Sequence, residues 1–148
     1  MTTIAWDGKH LAADTLAADP WGMPDRVEKI LEGTDFILGA AGDRGNILAW
    51  WRQVENLPVS SVIHHGYTHY EREHNCPSMI LVTAHNVYRL VGPVFVPMER
   101  EFFAVGSGRD FAITAMHLGK SAEEAVKIAA LFDINTGSEV QKQERPSP

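Results

Sequence analysis

The sequence predicts an α+β chain, a sandwich of antiparallel sheets covered by helical layers, and three observations carry that expectation. Short apolar, β-branched runs crowd the first 40 residues and return after Ser78. One amphipathic stretch separates the two groups of runs. A pair of amphipathic stretches follows the last strand-like run. Strands, a helix, strands and paired helices suit sheets stacked face to face with helices outside, each burying its apolar side.

In chain order, strands are expected near 2–6, 10–15, 27–32 and 35–40, where apolar and β-branched residues alternate. A helix runs from about Asn46 to Asn56 and ends before Pro58, which lacks the N–H to continue it. Strands near 79–83 and 87–91 flank Ala84-His85-Asn86, a hairpin turn. The strand 102–105 enters Gly106-Ser107-Gly108, a tight turn opening a helix over 109–118. After Gly119-Lys120, Ser121-Ala122-Glu123-Glu124 has the capping-box pattern, in which serine and glutamate satisfy orphan N–H groups reciprocally, and begins a helix over 121–132. Residues 1–140 read as one domain, and the polar stretch 141–148, with its two prolines, reads as a mobile tail.

Composition narrows the function. A chain of 148 residues with 45% hydrophobic and 22% charged residues has enough apolar surface for one core. A net charge of −6 with scattered Lys and Arg lacks the basic stripe that nucleic acid requires. Cys76 is the only cysteine, so no intrachain disulfide forms. No signal peptide or membrane-length apolar run is visible, so no membrane partner is expected and the expected location is cytoplasmic.

The chemistry concentrates at the start of the chain. Thr2 has a small side chain, so methionine aminopeptidase is expected to remove Met1 and leave a free amine beside the Thr2 hydroxyl. An α-amine titrates near pH ~8, close enough to neutrality to take the hydroxyl's proton. Asp14 and Lys29 end successive strands, and burying either charge is costly unless it is paired, so an ion pair beside the amine is expected.

Read together, Thr2, Ala12-Ala13-Asp14-Thr15, Val27-Glu28-Lys29-Ile30, Ile37-Leu38-Gly39-Ala40-Ala41-Gly42, Gly106-Ser107-Gly108 and Asp133-Ile134-Asn135-Thr136-Gly137 form an ordered set. In order and spacing the chain resembles the N-terminal nucleophile (Ntn) hydrolases of the proteasome β-subunit type, most of all the bacterial HslV-like peptidases. The resemblance implies a four-layer αββα sandwich and a threonine endopeptidase. In it Thr2 is the nucleophile, Asp14 and Lys29 set the local potential, and the Gly39 N–H faces the oxyanion. Ser107 orients the amine, supported by Asp133 and Thr136. It implies no metal or organic cofactor, a peptide or unfolded-protein substrate, and a homo-oligomeric ring.

Some positions depart from the family pattern. Leu16 and Ala18 stand where many members carry polar residues that hold the substrate backbone, and Asp43-Arg44 replaces a small-residue pair. The segment before Ser78 is short and lacks the family's basic helical pattern, so an ATPase unfoldase partner is left open. Plainer readings are a Thr2 without a role and an Asp14–Lys29 pair that is structural only. His64, His65, His69, His74 and Cys76 are the rival constellation for zinc. However, Gly66, Tyr67 and Thr68 interrupt the helix that the His65/His69 spacing needs, so a solvated connecting segment is expected. Trp50-Trp51 and Phe111 read as core or subunit-contact residues, and Trp21 as a loop anchor or a cleft border. Two alternatives share the fold: an Ntn amidase acting on a small amide, and a catalytically silent structural or interaction protein.

Overall fold

The structure is a computed structural model that describes residues 2–18, 23–69, 76–137 and 139–148. Met1, Trp21 and His74 lie outside the described residues. The first half contains β1 (Thr3–Trp6), β2 (His10–Asp14), β3 (Leu16–Ala18), β4 (Pro24–Arg26), β5 (Ile30–Glu32), β6 (Phe36–Ala41), α1 (Arg44–Val54) and α2 (Val59–His65). The second half contains β7 (Ser78–Thr83), β8 (Val87–Val91), β9 (Val94–Pro97), β10 (Phe103–Gly106), α3 (Arg109–His117), α4 (Ala122–Phe132) and β11 (Val140–Glu144).

Two antiparallel sheets form the centre, in the orders β10-β1-β2-β11 and β5-β6-β7-β8-β9, with β3 and β4 pairing as a separate hairpin. Alternation of side chains along each strand sorts residues between layers. Ile4, Trp6, Leu11, Ile37, Ile80, Val82 and Phe103 meet between the sheets. On the outer face of the first sheet, Ala5, Ala12 and Ala104 meet Ala112, Ala115, Ala125 and Ala129, small residues that let α3 and α4 settle closely onto it. On the outer face of the second, Leu38 and Leu81 pack against Trp50, Trp51, Val62 and Tyr67 of the α1–α2 layer. Three apolar seams between four layers make this an α+β αββα sandwich.

Local chemistry accounts for the helix starts. Asp43 caps α1 by accepting the Asn46 N–H at 3.0 Å, and Ser121 and Glu124 complete a capping box at α4. The Asp7 carboxylate, at the β1–β2 turn, accepts N–H groups from Lys9, His10 and Ala122, which ties that turn to the start of α4.

The structure departs from the sequence expectations in several places. Lys29 precedes β5 instead of lying within one strand over 27–32, because the chain first pairs as β4 with β3. The connecting segment contains α2, whose Val62 is its buried residue, and β9 adds an edge strand to the second sheet. Residues expected in the mobile tail form β11, which pairs with β2 from Val140–Asp14 to Glu144–His10. Beyond it the Arg145 guanidinium sits 4.9 Å from the Trp6 ring centre and donates to Thr83 O and Ala84 O, both at 3.1 Å. A cation stacked on an aromatic face and bonded to two carbonyls of the other sheet gives this polar segment a reason to be ordered.

Candidate active site

Thr3 opens β1 in the interior of the first sheet with Thr2 immediately before it, and both are fully buried. Asp14 ends the adjacent β2, which brings its carboxylate alongside them. Asp14 Oδ1 accepts the Thr3 N–H at 3.0 Å and Oδ2 accepts the Gly137 N–H at 3.1 Å. The Thr2 hydroxyl donates to Asp14 Oδ1, and Lys29 Nζ donates to Thr2 Oγ1. Lys29 Nζ also pairs with Asp14 Oδ1 at 3.0 Å and donates to Leu16 O at 2.6 Å. Burial pushes the Lys29 pKa below the ordinary lysine range, against the opposing pull of the Asp14 charge.

The second half of the site comes from the turn after β10. Thr2 N donates to Ser107 Oγ at 3.1 Å, and Ser107 Oγ bonds Asp133 Oδ2 at 2.6 Å. Thr136 Oγ1 also donates to Asp133 Oδ2 at 2.6 Å and shares a 2.7 Å hydrogen bond with Thr3 Oγ1. The flanking glycines are required by contact. Gly106 has φ +99°, and a Cβ there would collide with Thr2 O, while a Cβ on Gly108 would collide with Thr3 Oγ1. Burial opposes the Asp133 charge, but the Ser107 and Thr136 hydroxyls and the Asn135 N–H outweigh it and hold the carboxyl below its ordinary range.

That depression predicts a pH-dependent contribution to stability. With the folded pKa below the unfolded value of 3.8, the Asp133 contribution is fully present above about pH 4 and is lost as pH falls through the folded pKa. Asp133→Asn should therefore lower the urea midpoint at pH 7, and the gap from the parent protein should narrow at pH 3. A gap that is constant with pH would remove the Asp133 charge from the account.

The structure thus brings Thr2, Asp14, Lys29, Ser107, Asp133 and Thr136 together from five separate stretches of chain. Gly39 behaves differently. It lies inside β6 between Ile30 and Ile80, and a Cβ there would come within 2.7 Å of Ile4 Cγ2, so close approach of the sheets explains the glycine. Ala40 N–H is given to Lys29 O at 2.8 Å; because successive amides alternate, the Gly39 N–H points to β7. The structure therefore gives Gly39 a packing reason of its own, with its N–H directed along the sheet toward β7.

A cleft of about 480 Å³ opens beside Thr2 and Lys29, walled by Leu16, Val27, Ala40, Ala41, Gly42 and Cys76, with Asp43 and Arg44 also in its lining. Asp43 is engaged in capping α1, and Arg44 Nη1 donates to Glu28 O at 2.9 Å. The Cys76 thiol donates to Gly92 O at 3.1 Å, and burial raises its pKa. The rings of His64 and His65 lie 5.4 Å apart at the end of α2, and among the described residues no three His, Cys, Asp or Glu side chains converge to hold a metal. Sequence reasoning missed three contributors: the Leu16 carbonyl, the Thr3 side chain and the Cys76 wall. Main-chain acceptors and wall residues carry no compositional signal, although the Thr-Thr start makes Thr3 visible in retrospect.

Comparison with solved structures shows the same fold. Thiobacillus denitrificans BPH superimposes with a TM-score of 0.71 at 21% identity, covering 99% of this chain and 98% of that one. BPH in complex with epoxomicin gives 0.73 at 22% identity, covering 99% of both chains. Eukaryotic HslV from Trypanosoma brucei gives 0.71 at 15% identity, covering 98% of both. No protein-family model and no curated protein matches the sequence. At these identities the likeness establishes an HslV-like Ntn-hydrolase fold over nearly the whole chain.

Proposed function

We propose that the chain is a threonine-type peptidase of the proteasome β-subunit and HslV-like Ntn-hydrolase family. The observation that carries this reading is the convergence on one hydroxyl. Thr2 Oγ1 lies between the Lys29 ammonium and the Asp14 carboxylate, while Thr2 N rests on Ser107.

Removal of Met1 turns Thr2 N from an amide into an amine. Thr2 Oγ attacks the substrate carbonyl as that amine, directly or through a water, takes the hydroxyl proton. The Lys29 charge stabilises the developing alkoxide and favours a neutral, proton-accepting amine. The oxyanion falls to main-chain amides at the β6–α1 junction, next to the cleft, where the positive end of α1 assists. The leaving amine recovers the proton, and water then hydrolyses the Thr2 ester. No step calls for a metal or organic cofactor.

The open cleft and the BPH–epoxomicin neighbour support a peptide or unfolded-chain substrate. Peptide substrates and small amides, assayed side by side with the parent protein and Thr2→Ala, test the reading. Thr2-dependent peptide cleavage supports it. Turnover confined to small amides would convert the assignment to an Ntn amidase, and no Thr2-dependent turnover would reject the peptidase.

Self-association belongs to the same proposal, with a homo-oligomeric ring as the expected form. Phe111 stacks on Phe132 with ring centres 5.4 Å apart, yet they are 41% and 64% exposed, and Leu131 and Ile134 are exposed beside Phe132. Apolar surface of this kind favours a protein contact. Light scattering should show an oligomer that Phe132→Asp shifts toward monomer. A monomeric parent protein would contradict self-association. An ATPase unfoldase partner and cytoplasmic residence belong to the same proposal. Among the described residues no helix is long and apolar enough to cross a membrane.

A further inference from the structure

Lys29 is held at its main chain by both sheets. Its carbonyl accepts the Ala40 N–H at 2.8 Å within the second sheet. Its own N–H is taken by a side chain of the first sheet: Gln141 Oε1, on β11, accepts from Lys29 N at 2.6 Å and from Ile30 N at 3.4 Å. The neighbouring contacts extend the same bridge. Glu139 O accepts the Thr15 hydroxyl at 2.6 Å, and the Glu139 carboxylate lies 3.4 Å from Arg26 Nε.

We propose that Gln141 is a positioning residue for Lys29, so that the C-terminal strand sets the geometry of the Thr2 nucleophile. Nζ must meet Thr2 Oγ1, Asp14 Oδ1 and Leu16 O together, from a flexible four-carbon stem rooted just outside β5. A stem of that kind delivers its charge accurately only if its Cα is fixed. Gln141 accepts the amide at that Cα and the next amide along, joining the sheet that carries Lys29 to the sheet that carries Thr2 and Asp14. Without this acceptor the Lys29 main chain loses its tie to β11, and Nζ would sample positions away from Thr2.

This inference rests on the hydrolase reading for its catalytic consequence, and the experiment separates the two. Gln141→Met keeps the length of the side chain and removes the acceptor, whereas Gln141→Glu keeps an acceptor. With a peptidyl epoxyketone as probe, Gln141→Met should lower the maximal acylation rate of Thr2 about tenfold with little change in the concentration giving half-maximal rate, and Gln141→Glu should recover most of the rate. Amide hydrogen exchange at Lys29 and Ile30 should be slow in the parent protein and in Gln141→Glu, and fast in Gln141→Met. Acylation of Gln141→Met at the parent rate, or equal loss in both variants, would overturn the positioning role. Unchanged exchange at Lys29 would overturn the clamp itself. If the parent protein forms no adduct while Lys29 exchange still depends on Gln141, the hydrolase reading fails and the clamp stands.

Discussion

Lys29→Met is expected to abolish measurable acylation of Thr2 and to destabilise the fold by about 3–5 kcal/mol, because it leaves the Asp14 carboxylate buried without its cation. The two losses have separate causes. Lys29 Nζ is the cation that reaches Thr2 Oγ1, so the rate loss is electrostatic. The stability loss arises because Asp14 is fully buried and its ion pair with Lys29 spans 3.0 Å. Asp14 retains N–H donors from Thr3 and Gly137, which places the cost nearer the lower end of that range. Denaturant unfolding and acylation kinetics measured on the same preparations separate the effects. The double variant Lys29→Met/Asp14→Asn, which removes the unpaired charge but keeps an acceptor for the Thr3 and Gly137 N–H groups, should regain part of the stability and none of the rate. A Lys29→Met protein that acylates at the parent rate would remove the lysine from the mechanism.

Trp50→Ala is the second large effect and tests the fold without touching the cleft. Trp50 is fully buried in the α1–α2 layer, with ring centres 5.5 Å from Tyr67 and 6.1 Å from Phe95. Its Nε1 donates to Gly66 O at 3.1 Å. Truncation removes the ring contacts and leaves a cavity and an unpaired carbonyl, costing about 3–5 kcal/mol. That is a large fraction of a domain's total stability of about 5–15 kcal/mol, so the thermal midpoint should fall by many degrees. A loss below about 1 kcal/mol would mean that the α1–α2 layer contributes little to the cooperative core.

How legible these features are in the sequence depends on burial. Thr2, Asp14, Lys29 and Ser107 stand in or beside apolar runs, where a polar residue contrasts with its neighbours. The strands that end at or beside Thr2, Asp14 and Ser107, namely Thr3–Trp6, His10–Asp14 and Phe103–Gly106, are almost wholly buried and read clearly. The elements missed are those with little apolar contrast. Val140–Glu144 is polar because it is an edge strand with no fully buried residue. Val94–Pro97 ends in a proline and also lies on an edge, where proline is tolerated. The helix Val59–His65 buries only Val62, too little for a period to show. Gly39 is ambiguous for a different reason: a glycine demanded by packing against Ile4 and a glycine that exposes its amide look alike in sequence. Gln141 cannot be singled out at all, since its partner is a backbone N–H in the other sheet.

The proposed chemistry depends above all on Thr2 becoming a free N-terminal nucleophile. Intact mass of the purified protein, before and after incubation with a peptidyl epoxyketone and alongside Thr2→Ala, tests it most directly. The expected result is a chain lacking Met1 that gains one adduct, with no adduct on Thr2→Ala. Retained Met1, or a free Thr2 that never takes up the probe, would contradict it.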